Sequence, residues 1–148
     1  MTRTFRGLLL AAGLLATAGA AQAAPSLDIP AAVRIADYFA TLTFSSTQSQ
    51  ETATPFSATG GAGTIGFTGS LTTGTPCYDV TGSLGQRSRR VTVTVTAQGT
   101  GGICAQVITH NNYQGTVSDL AAGTYDFRIV HVVNGSSSTA YTQQVTVS

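Results

Sequence analysis

Residues 120–133 read LAAGTYDFRIVHVV, in which a turn leads into a long alternating run. Tyr125, Phe127 and Ile129 fall on one phase of this run, whereas Asp126 and Arg128 fall on the other. A period of two is typical of a β-strand with one buried side. We therefore predict that this stretch contains the central strand of an all-β domain.

Six further alternating runs lie between residues 63 and 148, and turn residues separate them. The runs span residues 65–71, 78–84, 91–96, 103–109, 113–119 and 141–147. Asn134 and Gly135 provide the positive φ angles of a hairpin tip. No connection is long enough for a crossover helix, which favours largely antiparallel sheets. We predict a seven-stranded antiparallel β-sandwich over residues 63–148.

The segment before the sandwich, residues 24–62, is predicted to be an irregular, partly flexible N-terminal extension. Its part from 45 to 55 is polar and poor in large apolar groups, which is typical of a mobile linker or a long loop. Residues 31–44 fit two structures. Pro30 could open a short helix, but the apolar side chains also alternate well enough for a strand.

The first 23 residues have the pattern of a secretory signal peptide. Arg3 and Arg6 precede an apolar run, and small residues then end in an Ala-x-Ala pattern at Ala23. The apolar run is shorter than the roughly 20 residues that a membrane span needs. We expect cleavage after Ala23, export to a periplasm or the extracellular space, and no membrane insertion of the remaining chain.

The chain has two cysteines, Cys77 and Cys104, and no Cys-x-x-Cys pair. In an oxidising compartment two isolated cysteines indicate one structural disulfide. Without the signal peptide, five arginines oppose six acidic residues and no lysine occurs, so the net charge is about −1. This balance gives no attraction to nucleic acid, and we expect no nucleic-acid partner.

Residues 120–125 resemble the tyrosine corner of immunoglobulin-like and fibronectin type III-like sandwiches, with Leu120, Gly123 and Tyr125 as the matching residues. The resemblance implies an immunoglobulin-like fold in which the tyrosine hydroxyl bonds to the backbone a few residues upstream. Two features depart from antibody-type domains: the chain has no Trp, and the two cysteines are not placed to join the second and sixth strands. The Thr-Pro-Cys stretch at Cys77, the second cysteine and the Gly-x-Tyr corner are together also similar to small immunoglobulin-like modules of bacterial secreted proteins.

No residue set specifies a catalytic chemistry. The six acidic residues are scattered, and no Gly-x-Ser-x-Gly motif occurs. We therefore predict no enzyme activity and no cofactor. The alternative is a small periplasmic metal-binding protein that uses His110 and His131, although the weak axial Met of a blue-copper site is missing.

Surface loops remain as candidates for function. Arg87, Arg89 and Arg90 form the one cluster of charge, in a predicted turn. A second predicted patch combines polar and aromatic side chains, namely His110, Asn111, Asn112 and Tyr113. We expect a non-catalytic binding or structural module whose partner is a protein or a glycan.

Overall fold

The computed structural model describes residues 40–148. The predicted signal peptide and the part of the extension up to residue 39 lie outside the described residues. All the regular structure described is β, so the predicted all-β class is confirmed. The strands are β1 (Thr41–Ser49), β2 (Ser57–Gly61), β3 (Thr64–Thr73), β4 (Tyr78–Arg87), β5 (Arg90–Gly99), β6 (Thr109–Ser118), β7 (Gly123–Val133) and β8 (Ser136–Val147).

The strands form two four-stranded sheets. The first sheet has the order β1-β6-β3-β2, and the second has the order β4-β5-β7-β8. Within the described residues no helix has the length and hydropathy that a membrane crossing requires.

The core lies between the two sheets. Val91, Val93 and Val95 of β5 are fully buried, as are Phe127 and Ile129 of β7. Each such side chain stabilises the fold by about 1.5–3 kcal/mol. The predicted central position of β7 is confirmed, because β7 pairs with β5 on one side and with β8 on the other.

The prediction of an antiparallel sandwich is wrong for one strand pair, because β5 and β7 run parallel. A parallel neighbour needs a crossover connection, which is often a helix. Here the crossover is β6, which belongs to the opposite sheet, so the chain leaves the second sheet after β5 and returns in the same direction as β7. The short connections are therefore compatible with a parallel pair.

The prediction of seven strands within residues 63–148 is also wrong, because residues 40–148 contain eight strands and only six of them lie after residue 63. Strands β1 and β2 lie before residue 63, within the segment predicted as an extension. Residues 41–49 form a strand despite their polar composition, because β1 is a sheet edge whose backbone pairs with β6. Only Leu42 and Phe44 of β1 pack against the core. The ambiguous stretch 31–44 is a strand from residue 41 onward, and residues 31–39 lie outside the described part.

The strand predicted at 103–109 is absent, and residues 100–108 form an irregular segment instead. Gly101 and Gly102 have positive φ angles there, which a strand does not adopt. A disulfide joins Cys104 in this segment to Cys77, with the two Cα atoms 6.1 Å apart, so the predicted bridge is confirmed. The predicted hairpin tip is confirmed as well, since both Asn134 and Gly135 have positive φ.

Candidate functional site

The residues of the predicted corner lie at the start of β7. The Tyr125 hydroxyl donates a hydrogen bond of 2.8 Å to the carbonyl oxygen of Ala121. The Arg89 guanidinium lies over the Tyr125 ring, 5.1 Å from its centroid, and donates to the carbonyl oxygen of Ala122. It occupies the space that a side chain at Gly123 would need. Arg89 therefore holds this turn in place, and Leu120 is buried beneath it.

The three arginines of the predicted cluster have different roles. Arg89 packs on Tyr125, whereas the Arg90 Nε atom makes an ion pair of 3.0 Å with Asp126. Arg87 has no ion pair within residues 40–148. The structure adds a fourth member, Arg128, whose Nη2 atom lies 3.7 Å from the Asp126 carboxylate. Sequence reasoning missed Arg128 because β7 is distant in sequence from the β4–β5 hairpin.

The predicted patch at residues 110–113 does not form one surface. These residues belong to β6 rather than to a turn, so their side chains alternate between the two faces of the sheet. His110 contacts the Thr72 hydroxyl on the outer face, 3.0 Å from its Nδ1 atom, and Asn112 holds the β1–β2 loop by hydrogen bonds. Asn111 and Tyr113 are buried, with 1% and 2% of their surface exposed.

Tyr113 and His131 make a hydrogen-bonded pair between the sheets. The Tyr113 hydroxyl lies 2.7 Å from His131 Nε2. Burial raises the pKa of Tyr113 and lowers the pKa of His131, so both partners of this hydrogen bond are favoured in their neutral forms. The Phe56 ring stacks on the Tyr141 ring and lies at a tilt next to the His131 ring, so it covers this end of the core. The pair thus has a structural role in this seam.

The two histidines do not converge on one site. His110 lies on β6 and faces outward from the first sheet, whereas His131 lies on β7 and faces inward from the second sheet. Both cysteines are in the disulfide. Residues 40–148 contain no group of three or more His, Cys, Asp or Glu side chains that could hold a metal ion.

The outer face of the first sheet carries a shallow trough of about 430 Å³, which no predicted site residue lines. Two cross-strand rows of residues form it. One row is Thr43, Thr116, Gly66 and Thr59, and the other is Ser45, Gln114, Thr68 and Ser57, with Phe44, Phe67 and Gly115 completing the lining. The volume lies within the range of about 300–1,000 Å³ that is typical of ligand sites.

Comparison with protein-family models, curated proteins and solved structures gives no match for this chain.

The trough contains hydrogen-bonding groups but no ionisable group. Thr68 is engaged with Ser57 and with the Pro55 carbonyl oxygen. Within the described residues, the hydroxyl of Thr59 and the amide of Gln114 have no such partner, so they can bond to a ligand. Its lining contains no carboxylate, imidazole or amine that could act as a general acid or base.

Gly66 leaves a gap in the row of side chains to which it belongs. It lies on β3, an interior strand of the first sheet, and a Cβ atom added there would meet nothing within 4 Å. The other glycine in the middle of β3, Gly69, faces Tyr113 and Phe56, and Gly115 on β6 faces Phe67. Side-chain packing thus explains why glycine is present at positions 69 and 115, but it gives no reason for the glycine at position 66.

Proposed function

We propose that this chain is an exported, non-catalytic binding module that holds a neutral glycan in the trough of the first sheet. The ligand class follows from the lining, where hydroxyl and amide groups can exchange hydrogen bonds with sugar hydroxyls. The absence of charge in the lining favours a neutral ligand over an anionic one.

Gly66 is the observation that carries this proposal. A glycine inside a strand costs about 0.5–1 kcal/mol relative to alanine, and it often marks a place where a ligand approaches the backbone closely. Gly66 needs neither a positive φ nor space for a neighbouring protein atom. Open space for a ligand on the outer face of the sheet is a physical reason for a glycine at position 66.

Export and the immunoglobulin-like fold are part of the same proposal. Export is supported by the Ala-x-Ala pattern at Ala23 and by the Cys77–Cys104 disulfide, which persists in an oxidising compartment. The immunoglobulin-like assignment is supported by the two-sheet architecture and by the bond from Tyr125 to the Ala121 backbone.

The test is affinity gel electrophoresis of the full disulfide-bonded chain in dextran, galactomannan and xyloglucan, with Gly66→Val as the trough variant. The valine side chain would occupy the open space above β3, and its β-branched shape suits a strand. We expect at least one of the three polymers to retard the natural chain, and we expect Gly66→Val to migrate as it does without polymer.

Gly85→Val is the matched control. Gly85 lies on β4 of the second sheet, where a new Cβ would meet only the Thr92 carbonyl oxygen at 3.9 Å. This variant should bind as the natural chain does. Absence of retardation in all three polymers, or equal retardation of the Gly66 and Gly85 variants, would contradict the proposal.

A further inference from the structure

The arginines of the described chain lie together at one end of the second sheet. Arg87, Arg90 and Asp126 are directly opposite one another on β4, β5 and β7. Arg128 lies two residues further along β7, on the same outward face as Asp126. We name Arg87, Arg90, Asp126 and Arg128 the arginine face. It carries three positive charges against one negative charge.

The donors of this face are only partly used. The Arg90 guanidinium makes one hydrogen bond to Asp126, through Nε, and its side chain is 59% exposed. Arg128 approaches the same carboxylate only to 3.7 Å, beyond hydrogen-bond distance, and its side chain is 35% exposed. Each guanidinium carries five N–H donors, so one carboxylate leaves most of them free.

Neutral hydrogen-bonding side chains surround these charges. Gln144 lies opposite Asp126 on β8, while Thr92 and Thr142 lie opposite Arg128 on β5 and β8. These two rows form a sheet surface that carries guanidinium, hydroxyl and amide groups and contains no aromatic side chain. A ligand that fits must therefore offer both anionic groups and hydroxyl groups.

We propose that the arginine face binds an acidic glycan, with its carboxylate or sulfate groups on the arginines and its hydroxyl groups on Gln144, Thr92 and Thr142. Planar guanidinium groups match the geometry of carboxylates by bidentate hydrogen bonds. A single-stranded nucleic acid would call for aromatic residues on which bases stack, and these two rows have none. This surface is separate from the neutral trough, so the two proposals can fail independently.

Affinity electrophoresis of the full chain in polygalacturonate and in heparin tests this inference and distinguishes a carboxylated from a sulfated ligand. We expect retardation by at least one polymer, and its loss in 0.5 M salt, which screens exposed charges to about 3–5 Å. Arg87→Gln and Arg128→Gln should each weaken binding by about threefold to tenfold. Thermal unfolding verifies that each variant folds.

Asp126→Asn separates a binding role from a structural role. It removes the one negative charge of the arginine face, so it should strengthen binding to the acidic polymer by about twofold to fivefold. A purely structural ion pair would instead make this variant less stable without tighter binding. Asp79→Asn, an exposed change of the same charge elsewhere on β4, is the matched control and should leave the affinity unchanged.

Several outcomes would overturn the inference. These are absence of retardation by both polymers, equal strengthening by Asp79→Asn and Asp126→Asn, and unchanged binding in both arginine variants. Equal affinity for a single-stranded oligonucleotide would replace the acidic glycan with a general polyanion and would also overturn it.

Discussion

Removal of the disulfide by the double substitution Cys77→Ser and Cys104→Ser should destabilise the fold without rearranging it. Cys104 lies in the irregular segment between β5 and β6, and neither cysteine belongs to the buried core. The bridge closes a loop with a sequence separation of 27 residues. On the chain-entropy model such a loop contributes about 3.6 kcal/mol at 25 °C, by restricting the unfolded chain.

Urea unfolding at pH 7 measures this difference. The variant should unfold at lower urea, and its m value should rise because the unfolded chain without the bridge exposes more surface. Ile103→Ser, a change at a fully exposed neighbour of Cys104, is the control and should leave the midpoint unchanged. A loss below about 1 kcal/mol, well under the loop-closure value, would contradict an entropic contribution of this size from the disulfide. A variant that does not fold at all would show that the bridge contributes at least the whole free energy of unfolding of the natural chain.

Three further changes test other parts of the structure. Tyr125→Phe removes a 2.8 Å hydrogen bond to the backbone and should cost about 0.5–1.5 kcal/mol in urea unfolding. Gly60→Ala should lower the free energy of unfolding by more, because its new Cβ would lie 1.8 Å from the Thr146 carbonyl oxygen. A soluble and equally stable variant would show that β2 and β8 are not this close. His131 has a pKa lowered from 6.5 by burial, so the unfolded state binds its proton first and stability should fall as the pH drops below 6.5. This loss of stability should stop once the pH is below the pKa of His131 in the folded state. The variant His131→Gln keeps a side chain that can accept a hydrogen bond from Tyr113, and its stability should lack this pH dependence.

Alternation along single strands made most of the second sheet predictable. β5 and β7 have buried side chains at every second position, so a period of two identifies them without any tertiary information. The Asn134-Gly135 hairpin tip was predictable from local sequence as well, since its positive φ angles follow from the residue types.

Elements that depend on distant partners were not predictable. β1 is polar, and it is a strand because its backbone pairs with β6, far along the chain. The Asn111-Asn112 doublet is typical of a turn, but buried hydrogen bonds from Asn111 to the Leu71 carbonyl oxygen and to Thr73 keep it inside β6. Tertiary contacts here override the local preference for a turn.

The trough was invisible in the sequence for a similar reason. The residues of its two rows are ordinary outward-facing Ser, Thr, Gln and Gly residues on four strands, and only the register brings them together. The Thr43 hydroxyl, for example, bonds to the Thr116 carbonyl oxygen 73 residues away. The arginine face was predictable only in part, because the sequence identified Arg87 and Arg90 but not the contribution of Arg128 from β7.

An NMR titration of the ¹⁵N-labelled full chain with oligosaccharides of a neutral polymer that retards it would locate the glycan-binding surface. We predict that amide shifts concentrate on the row Thr43, Thr116, Gly66 and Thr59, with little change on the outer face of the second sheet. Shifts confined to the second sheet, or spread evenly over both faces, would contradict the claim that the trough is the binding site.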